Sequence, residues 1–464
     1  MLGSTRERTR QTNDTIQKMT GYPTHDELTR LTEEMLHHFR NLLRIDTTNP
    51  PGNESTAAHY IAHLLRQEGI DHTVIEPEPG RGSLIARIYG DRSKRPLLLM
   101  AHLDVVCAEA EHWEHPPFAA HLEDGVVWGR GALDCKNTVV LWLTVMIALK
   151  RAGVRPARDV IFLAAADEEE GGRLGAGWIV ENAFELIDAE ACLNEGGGPA
   201  IGFLGRTFYT YQSGEKGNIW LRFTRTGTPG HGSVPRGDNP VMRVGKLLER
   251  IMRVRFPVRA TATTREMLRA IATTQRFPQS LAVRLLAFPP LSELLIRRGI
   301  ADDEKANTIR SILRTTVCPT VLRGGRKVNV IPSEASLEID IRVLPGHDIN
   351  DVFARIRRAL GPDTSYDILD LQFASESPVD HELVRAIRRV IERHHPGANT
   401  LPLLLPAASD GSYLRRKGIA VYGFSPLLPG ENIGLIHGHN ERISVDSLAF
   451  SLRIGLEVVL EYVM

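Results

Sequence analysis

The sequence predicts an α/β fold: a doubly wound, mostly parallel sheet interrupted by an inserted ferredoxin-like α+β domain. Three observations carry this. Short apolar runs at Leu97–Ala101, Val160–Ala166 and Ala189–Leu193 alternate with helical stretches, as strands buried on both faces do. Each run ends on a polar cluster (His102 with Asp104, then Asp167 to Glu170, then Asn194-Glu195), at the strand end where open α/β sheets bind ligands. Near residue 213 the rhythm changes to strict alternation, the mark of a half-exposed antiparallel strand.

At 464 residues the chain is too long for one core, and two or three domains are expected. Lys+Arg and Asp+Glu are both 56, so no net field draws nucleic acid or an anionic membrane. The four cysteines, Cys107, Cys135, Cys192 and Cys318, include no Cys-x-x-Cys pair, which argues against a disulfide framework or cysteine-zinc site and fits a reducing compartment. No apolar h-region opens the chain, and the longest apolar run, Val139–Leu149 broken by Thr144, is too short for a bilayer. The expectation is a cytoplasmic protein with neither nucleic-acid nor membrane partners.

The elements follow in order. Residues 1–24 read as a frayed leader. Leu28, Leu31, Met35, Phe39 and Leu42 recur at helical spacing over Thr24–Leu43, and a second helix spans Glu54–Gly69 after the loop Asp46–Gly52. Strands at Ile70–Ile75 and Ser83–Tyr89 precede the strand that carries His102. A turn-rich connection, Trp113–Phe118 and Asp124–Gly131, delivers Asp134 to the start of a helix over Lys136–Arg151. In the insertion, Ile219, Leu221 and Phe223 share one face of a strand over Asn218–Thr226. Leu337, Ile339, Ile341 and Val343 share one face of another. Helices at 240–254 and 349–360, with strands at 316–323 and 366–373, complete a β-α-β-β-α-β order. The expected domains are 1–212, an insertion at 213–374 with a helical excess at 260–315, and 375–464.

Five acid or imidazole groups fall at strand exits or loops of the outer domain: His102, Asp134, Glu169, Glu195 and His437. Each has an ordinary explanation as well. Asp134 can cap the helix after it, and Glu168 to Glu170 can solvate a helix N-terminus. Jointly, carboxylates and imidazoles converging at one sheet edge are hard to hold together: like charges held close raise each other's pKa unless a divalent ion lies between them. With no thiolate candidate, mixed N/O ligation suits zinc, with cobalt or manganese next. Adjacent Glu168 and Glu169 invite separate roles, one as ligand and one as general base.

Five motifs then match a family. His102-Leu103-Asp104, Gly129 to Asp134, Asp167-Glu168-Glu169, Glu195-Gly196 and His437 to Arg442 resemble the co-catalytic dizinc exopeptidases. These include glutamate carboxypeptidase, aminoacylase, carnosinase, and the acetylornithine and succinyl-diaminopimelate deacylases. The likeness runs from about residue 28 to 464 and is nearest the carboxypeptidase S and N-acyl-amino-acid hydrolase branch.

The resemblance implies two Zn2+ per subunit, one held by His102 and Glu195, the other by Glu169 and His437, with Asp134 bridging. It implies that Asp104 orients His102, that Glu168 is the base toward a metal-activated water, and that the Asp134–Cys135 peptide is cis. It makes the insertion a lid and dimerisation domain. There His231 would stabilise the oxyanion in the partner's site, and Asn329 and Arg342 would bind substrate. Arg342 shares its strand face with Glu338 and Asp340, so an ordinary ion pair is equally open. Gly411 and Ser412 lie where relatives contact the substrate carboxylate, and His439 competes with His437 for the ligand assignment. The implied activity is hydrolysis of an amide beside a free carboxylate, in a peptide or N-acyl amino acid. A biosynthetic deacylase, or a catalytically silent binding protein on the same fold, are the alternatives.

Overall fold

The computed structural model describes residues 22–299, 303–361 and 364–464. Most of the expected leader therefore lies outside the described residues. The chain divides into two compact units, the first comprising residues up to 213 with 377–401 and 409–464, the second 214–376 with 402–408.

The first unit opens with helix α1 (His25–Arg44), started by a capping box: the Thr24 hydroxyl accepts from the Glu27 N–H while Glu27 Oε2 accepts from Thr24 N at 2.7 Å. Its stripe Leu31, Met35, Phe39 and Leu42 is buried. Helix α2 (Glu54–Gln67) leads to strands β1 (Asp71–Ile75), β2 (Ser83–Ile88) and β3 (Leu97–His102). Further on come β4 (His121–Glu123), β5 (Val126–Trp128), helix α3 (Lys136–Arg151), β6 (Val160–Ala165) and β7 (Ala191–Asn194). The central sheet runs β1-β2-β6-β3-β7, then the strands Ala420–Gly423 and Arg206–Glu215. Its middle is parallel (β6 with β3, β3 with β7, β7 with Ala420–Gly423), while the β1–β2 and β2–β6 pairs are antiparallel.

Both faces of β3 are covered, which is why it reads as a continuous apolar run. Leu97, Leu99 and Ala101 pack into the layer containing Trp142 and the C-terminal helix Val445–Val463, while Leu98 and Met100 pack with Ile179 and Leu414 on the other side. Burying each such leucine is worth about 1.5–3 kcal/mol, and this holds the strand register tightly. That register sets His102 beside Ala165 and Leu99 beside Leu193. The polar exits of β6, β3 and β7 therefore emerge side by side.

One expectation is corrected. The segment read as a turn-rich connection contains β4 and β5, which form a three-stranded sheet with Arg442–Ser444. Strands of three residues are too short to give an alternation signal in sequence, and their third partner lies over 300 residues away. Asp134 does not cap α3 either: Cys135 occupies the N-cap position without a side-chain hydrogen bond, and the Asp134–Cys135 peptide is cis.

In the second unit four antiparallel strands stand in the order Thr316–Arg323, Glu334–Val343, Gly217–Thr226, Asp367–Leu371. Helices Pro240–Ile251 and Ile349–Leu360 bury their apolar stripes with Ile219, Leu221, Phe223, Leu337, Ile339 and Ile341 in one core. The chain order is β-α-β-β-α-β. Residues 262–313 carry four helices, Ala262–Thr273, Gln279–Leu285, Pro289–Gly299 and Asp303–Leu313. Among the described residues no helix is long and apolar enough to cross a membrane.

Candidate metal centre

The exits of β3, β6 and β7 bring His102, Glu168, Glu169 and Glu195 together, and α3 is preceded by Asp134, which reaches the same place. His102 Nε2 lies 3.1 Å from Asp134 Oδ1 and 3.2 Å from Glu195 Oε2. On the other side, His437 Nε2 lies 3.0 Å from Asp134 Oδ2 and 3.3 Å from Glu169 Oε1. Two ligand groups result, and each takes a different oxygen of Asp134. His437 sits in a left-handed backbone conformation and its side chain is 50% exposed, against 2% for His102, so the pair of groups opens toward solvent on the His437 side.

Asp104 does more than face a histidine. Its backbone carbonyl lies 3.0 Å from His102 Nδ1 and its carboxylate 3.5 Å away, which leaves Nε2 to face the ligand position. The carboxylate also accepts the backbone N–H groups of Glu168 and Glu169, each at 3.0 Å, and the Asn49 side-chain amide at 2.8 Å. Burial alone would push Asp104 up, but the hydrogen bonds from His102 and Asn49 carry it below its ordinary value. The glutamate turn is gripped from its other end by Asp167. That residue takes a positive φ and binds Arg81, which is itself held by Glu54.

A second anchor joins the Asp134 loop to the His437 loop. Glu441 accepts from Arg130 Nη1 at 2.5 Å and from the N–H groups of Leu133 at 2.6 Å, Asp134 at 3.1 Å and Gly131 at 3.3 Å. Both Glu441 and Arg130 are almost fully buried. Asn49, Arg81 and Glu54 carried no assigned role in the sequence, and Arg130 and Glu441 appeared there only as members of the family motifs.

The donor set fits divalent ions. Glu169 Oε1 is buried without a hydrogen-bond partner, although it lies against His437. Burial pushes Glu195 up, and burial with the nearby Glu195 charge pushes Glu168 well up. Against burial, hydrogen bonds from His102 and His437 hold Asp134 well below the ordinary carboxylate range. Hydrogen bonds to Asp134 and Glu169 raise His437 to about 10. Two cations among these groups would relieve the crowding of carboxylates. Cys135 Sγ also lies within the His102 group, although it supplies no thiolate there. The thiol is kept protonated by burial and is engaged with the His102 backbone, accepting from N at 3.3 Å.

The remaining candidates are placed as follows. Gly411 and Ser412 begin the helix Gly411–Arg416 and are buried. The preceding Asp410, raised by burial and with Oδ2 unpartnered, abuts the glutamate turn so closely that a Cβ on Gly172 would stand 2.0 Å from its Oδ1. His439 pairs with Glu109 at 3.1 Å and belongs to neither ligand group. In the second unit, exposed His231 lies 2.7 Å (Nδ1) from Ser233 Oγ, and Gly232 N donates to the Asn329 carbonyl at 2.8 Å. Arg342 forms the neighbour ion pair its strand spacing allows, Nε to Asp340 Oδ2 at 3.0 Å.

The chain is similar to known proteins along most of its length. The model of Peptidase family M20/M25/M40 matches residues 98–461. The N-fatty-acyl-amino acid synthase/hydrolase PM20D1 of Xenopus tropicalis is 27% identical over 420 residues, covering 86% of this chain and 74% of that protein. Aminoacylase-1 of Mus musculus is 28% identical over 426 residues, covering 88% and 90%. In fold, the M20 family metallo-carboxypeptidase Sso-CP2 of Sulfolobus solfataricus superposes with a TM-score of 0.73 at 19% identity, covering 92% of this chain and 99% of that one.

Proposed function

The chain belongs to peptidase family M20/M25/M40, and from that premise we propose that it is a dinuclear zinc amidohydrolase acting beside a free carboxylate. Family membership carries the coarser activity, metal-dependent hydrolysis of amide bonds. The observation that supports two ions rather than one is the division of Asp134: Oδ1 toward His102 and Glu195, Oδ2 toward His437 and Glu169.

In this reading His102 and Glu195 would hold one zinc and Glu169 and His437 the other, with one Asp134 oxygen available to each group. When bound, the ions supply Lewis acidity toward the scissile carbonyl and a lowered pKa for water. The chain's own residues do the rest. Asp104 holds His102 by its Nδ1 side and pins the Glu168-Glu169 turn through two backbone N–H groups. Glu168, beside the ligand Glu169, takes the proton of the attacking water and returns it to the leaving amine. Gly411 and Ser412 contact the substrate carboxylate, and Asn329 and Arg342 are the further substrate-binding residues. A homodimer formed through that unit places His231 to stabilise the developing oxyanion. The four free cysteines suit a cytoplasmic location.

The test is release of amino acid from a panel of N-acyl amino acids and dipeptides, with and without chelator. Hydrolysis should require the free carboxylate and vanish on metal removal. Activity that survives chelation overturns the metal assignment, and equal turnover of carboxyl-amidated substrates overturns the substrate class.

A further inference from the structure

Outside the five-ligand centre, the three-stranded sheet carries a second constellation of donors. His121 and Glu123 are two apart on β4 and share one face, and His115 folds over them from the preceding loop. The His115 and His121 rings stack with centroids 3.8 Å apart at 21°. Both Nε2 atoms lie near the same carboxylate oxygen, Glu123 Oε2, at 3.4 Å from His115 and 3.7 Å from His121, without a hydrogen bond from His121. His121 Nε2 is sealed from solvent and has no hydrogen-bond partner. A buried imidazole nitrogen without a partner is costly, and a stacked imidazole pair converging on one carboxylate gives it none within the protein.

The wall behind the pair is built. Trp128 pairs with His121 across the β4–β5 register and sets its ring edge-on to His115 at 5.1 Å. The Arg442 guanidinium, from the third strand, lies 4.3 Å over the Trp128 ring. The three donor atoms lie within 4.8 Å of one another. Two imidazole nitrogens and one carboxylate oxygen, with one side open, are a donor set that suits borderline divalent transition metals. We propose that His115, His121 and Glu123 form a separate binding site for one divalent transition-metal ion, Zn2+ or, by the order of intrinsic affinities, Cu2+ more tightly. The site clips the loop at residue 115 to β4. Through β5 and Arg442–Ser444 it lies on the sheet that joins the approach to Asp134 with the segment after His437.

Equilibrium dialysis of the metal-stripped, tag-free chain against Zn2+, followed by elemental analysis, tests this. The wild-type chain should take up one equivalent more than His121→Gln and one more than Glu123→Gln. Asp134→Asn should keep that equivalent while losing metal at the other centre. In the Asp134→Asn background, Cu2+ should give an imidazole-coordinated electron paramagnetic resonance signal that His121→Gln removes. Equal metal content in wild type, His121→Gln and Glu123→Gln overturns the proposal, as does a Cu2+ signal indifferent to His121. Hydrolysis by the metal-loaded His121→Gln chain should match wild type, which separates this site from the proposed catalytic one.

Discussion

Replacing Glu441 by Gln removes the charge that holds two ligand loops together. In the native chain its Oε2 faces Arg130 Nη1 and Gly131 N, while Oε1 faces Leu133 N and Asp134 N. Gln retains an oxygen for one pair of donors but turns an NH2 group on the other, and Arg130, 2% exposed, is left as a buried uncompensated cation. Breaking one partner of a buried pair costs about 3–5 kcal/mol. Because the lost contacts are long-range and the affected amides are local, the effect should show in both global and local stability. Denaturant unfolding should give an unfolding free energy lower by that amount. Hydrogen exchange at the amides of Gly131, Leu133 and Asp134 should speed up by about a hundredfold for a loss near 3 kcal/mol. Metal affinity should fall by roughly 10- to 100-fold, as when groups behind a ligand are removed. A double-mutant cycle with Arg130→Met isolates the pair: the double variant should recover much of the stability lost in Glu441→Gln. Unchanged exchange at residues 131–134, with an unfolding free energy within about 0.5 kcal/mol of wild type, would refute the anchor.

Glu168→Gln should bind metal with wild-type stoichiometry yet lose about 10²–10⁴-fold in turnover; normal turnover would remove Glu168 as the base. Asp134→Asn should lower metal content at both ligand groups together, whereas loss of only one equivalent would deny the bridge. Lys136, fully buried with Nζ on the Leu42 and Ile45 carbonyls, is brought by burial from 10.5 down to about 7. Below pH 7 it is charged in both folded and unfolded states and the folded state carries the whole burial cost. Between about 7 and 10 the unfolded chain binds the extra proton, so wild-type stability gains from this residue as pH rises, by on the order of a few kcal/mol. The wild-type-minus-Lys136→Met difference in unfolding free energy should climb across that window; parallel curves would show that Lys136 is charged in the folded protein.

Much of the centre was legible because its residues sit next to strong local signals. Apolar runs with buried faces marked β3, β6 and β7, and His102, Glu168, Glu169 and Glu195 follow those runs within a few positions. Periodicity likewise located α1, α3 and the four strands of the second unit to within a few residues. Glu441 gave no such signal. It lies 311 positions from its partner Arg130, in a loop without period, and only the folded chain makes it the hub of four hydrogen bonds. The same holds for the chain of Asn49, Asp104, Asp167, Arg81 and Glu54, and for β4, whose His121 and Glu123 looked like loop residues until β5 and Arg442–Ser444 closed around them.

By itself, then, the sequence determined which segments are strands and helices and which donors stand at their ends, because burial and backbone geometry write short-period patterns into neighbouring residues. The tertiary structure alone supplied the distances behind a division that the family resemblance implied: Asp134 turns one oxygen to each group, His437 and not His439 lies in the second, and Cys135 turns its thiol to the His102 backbone. Those outcomes depend on distances of 3–4 Å between residues tens to hundreds of positions apart, and sheet register with buried ion pairs, not local propensity, sets such distances.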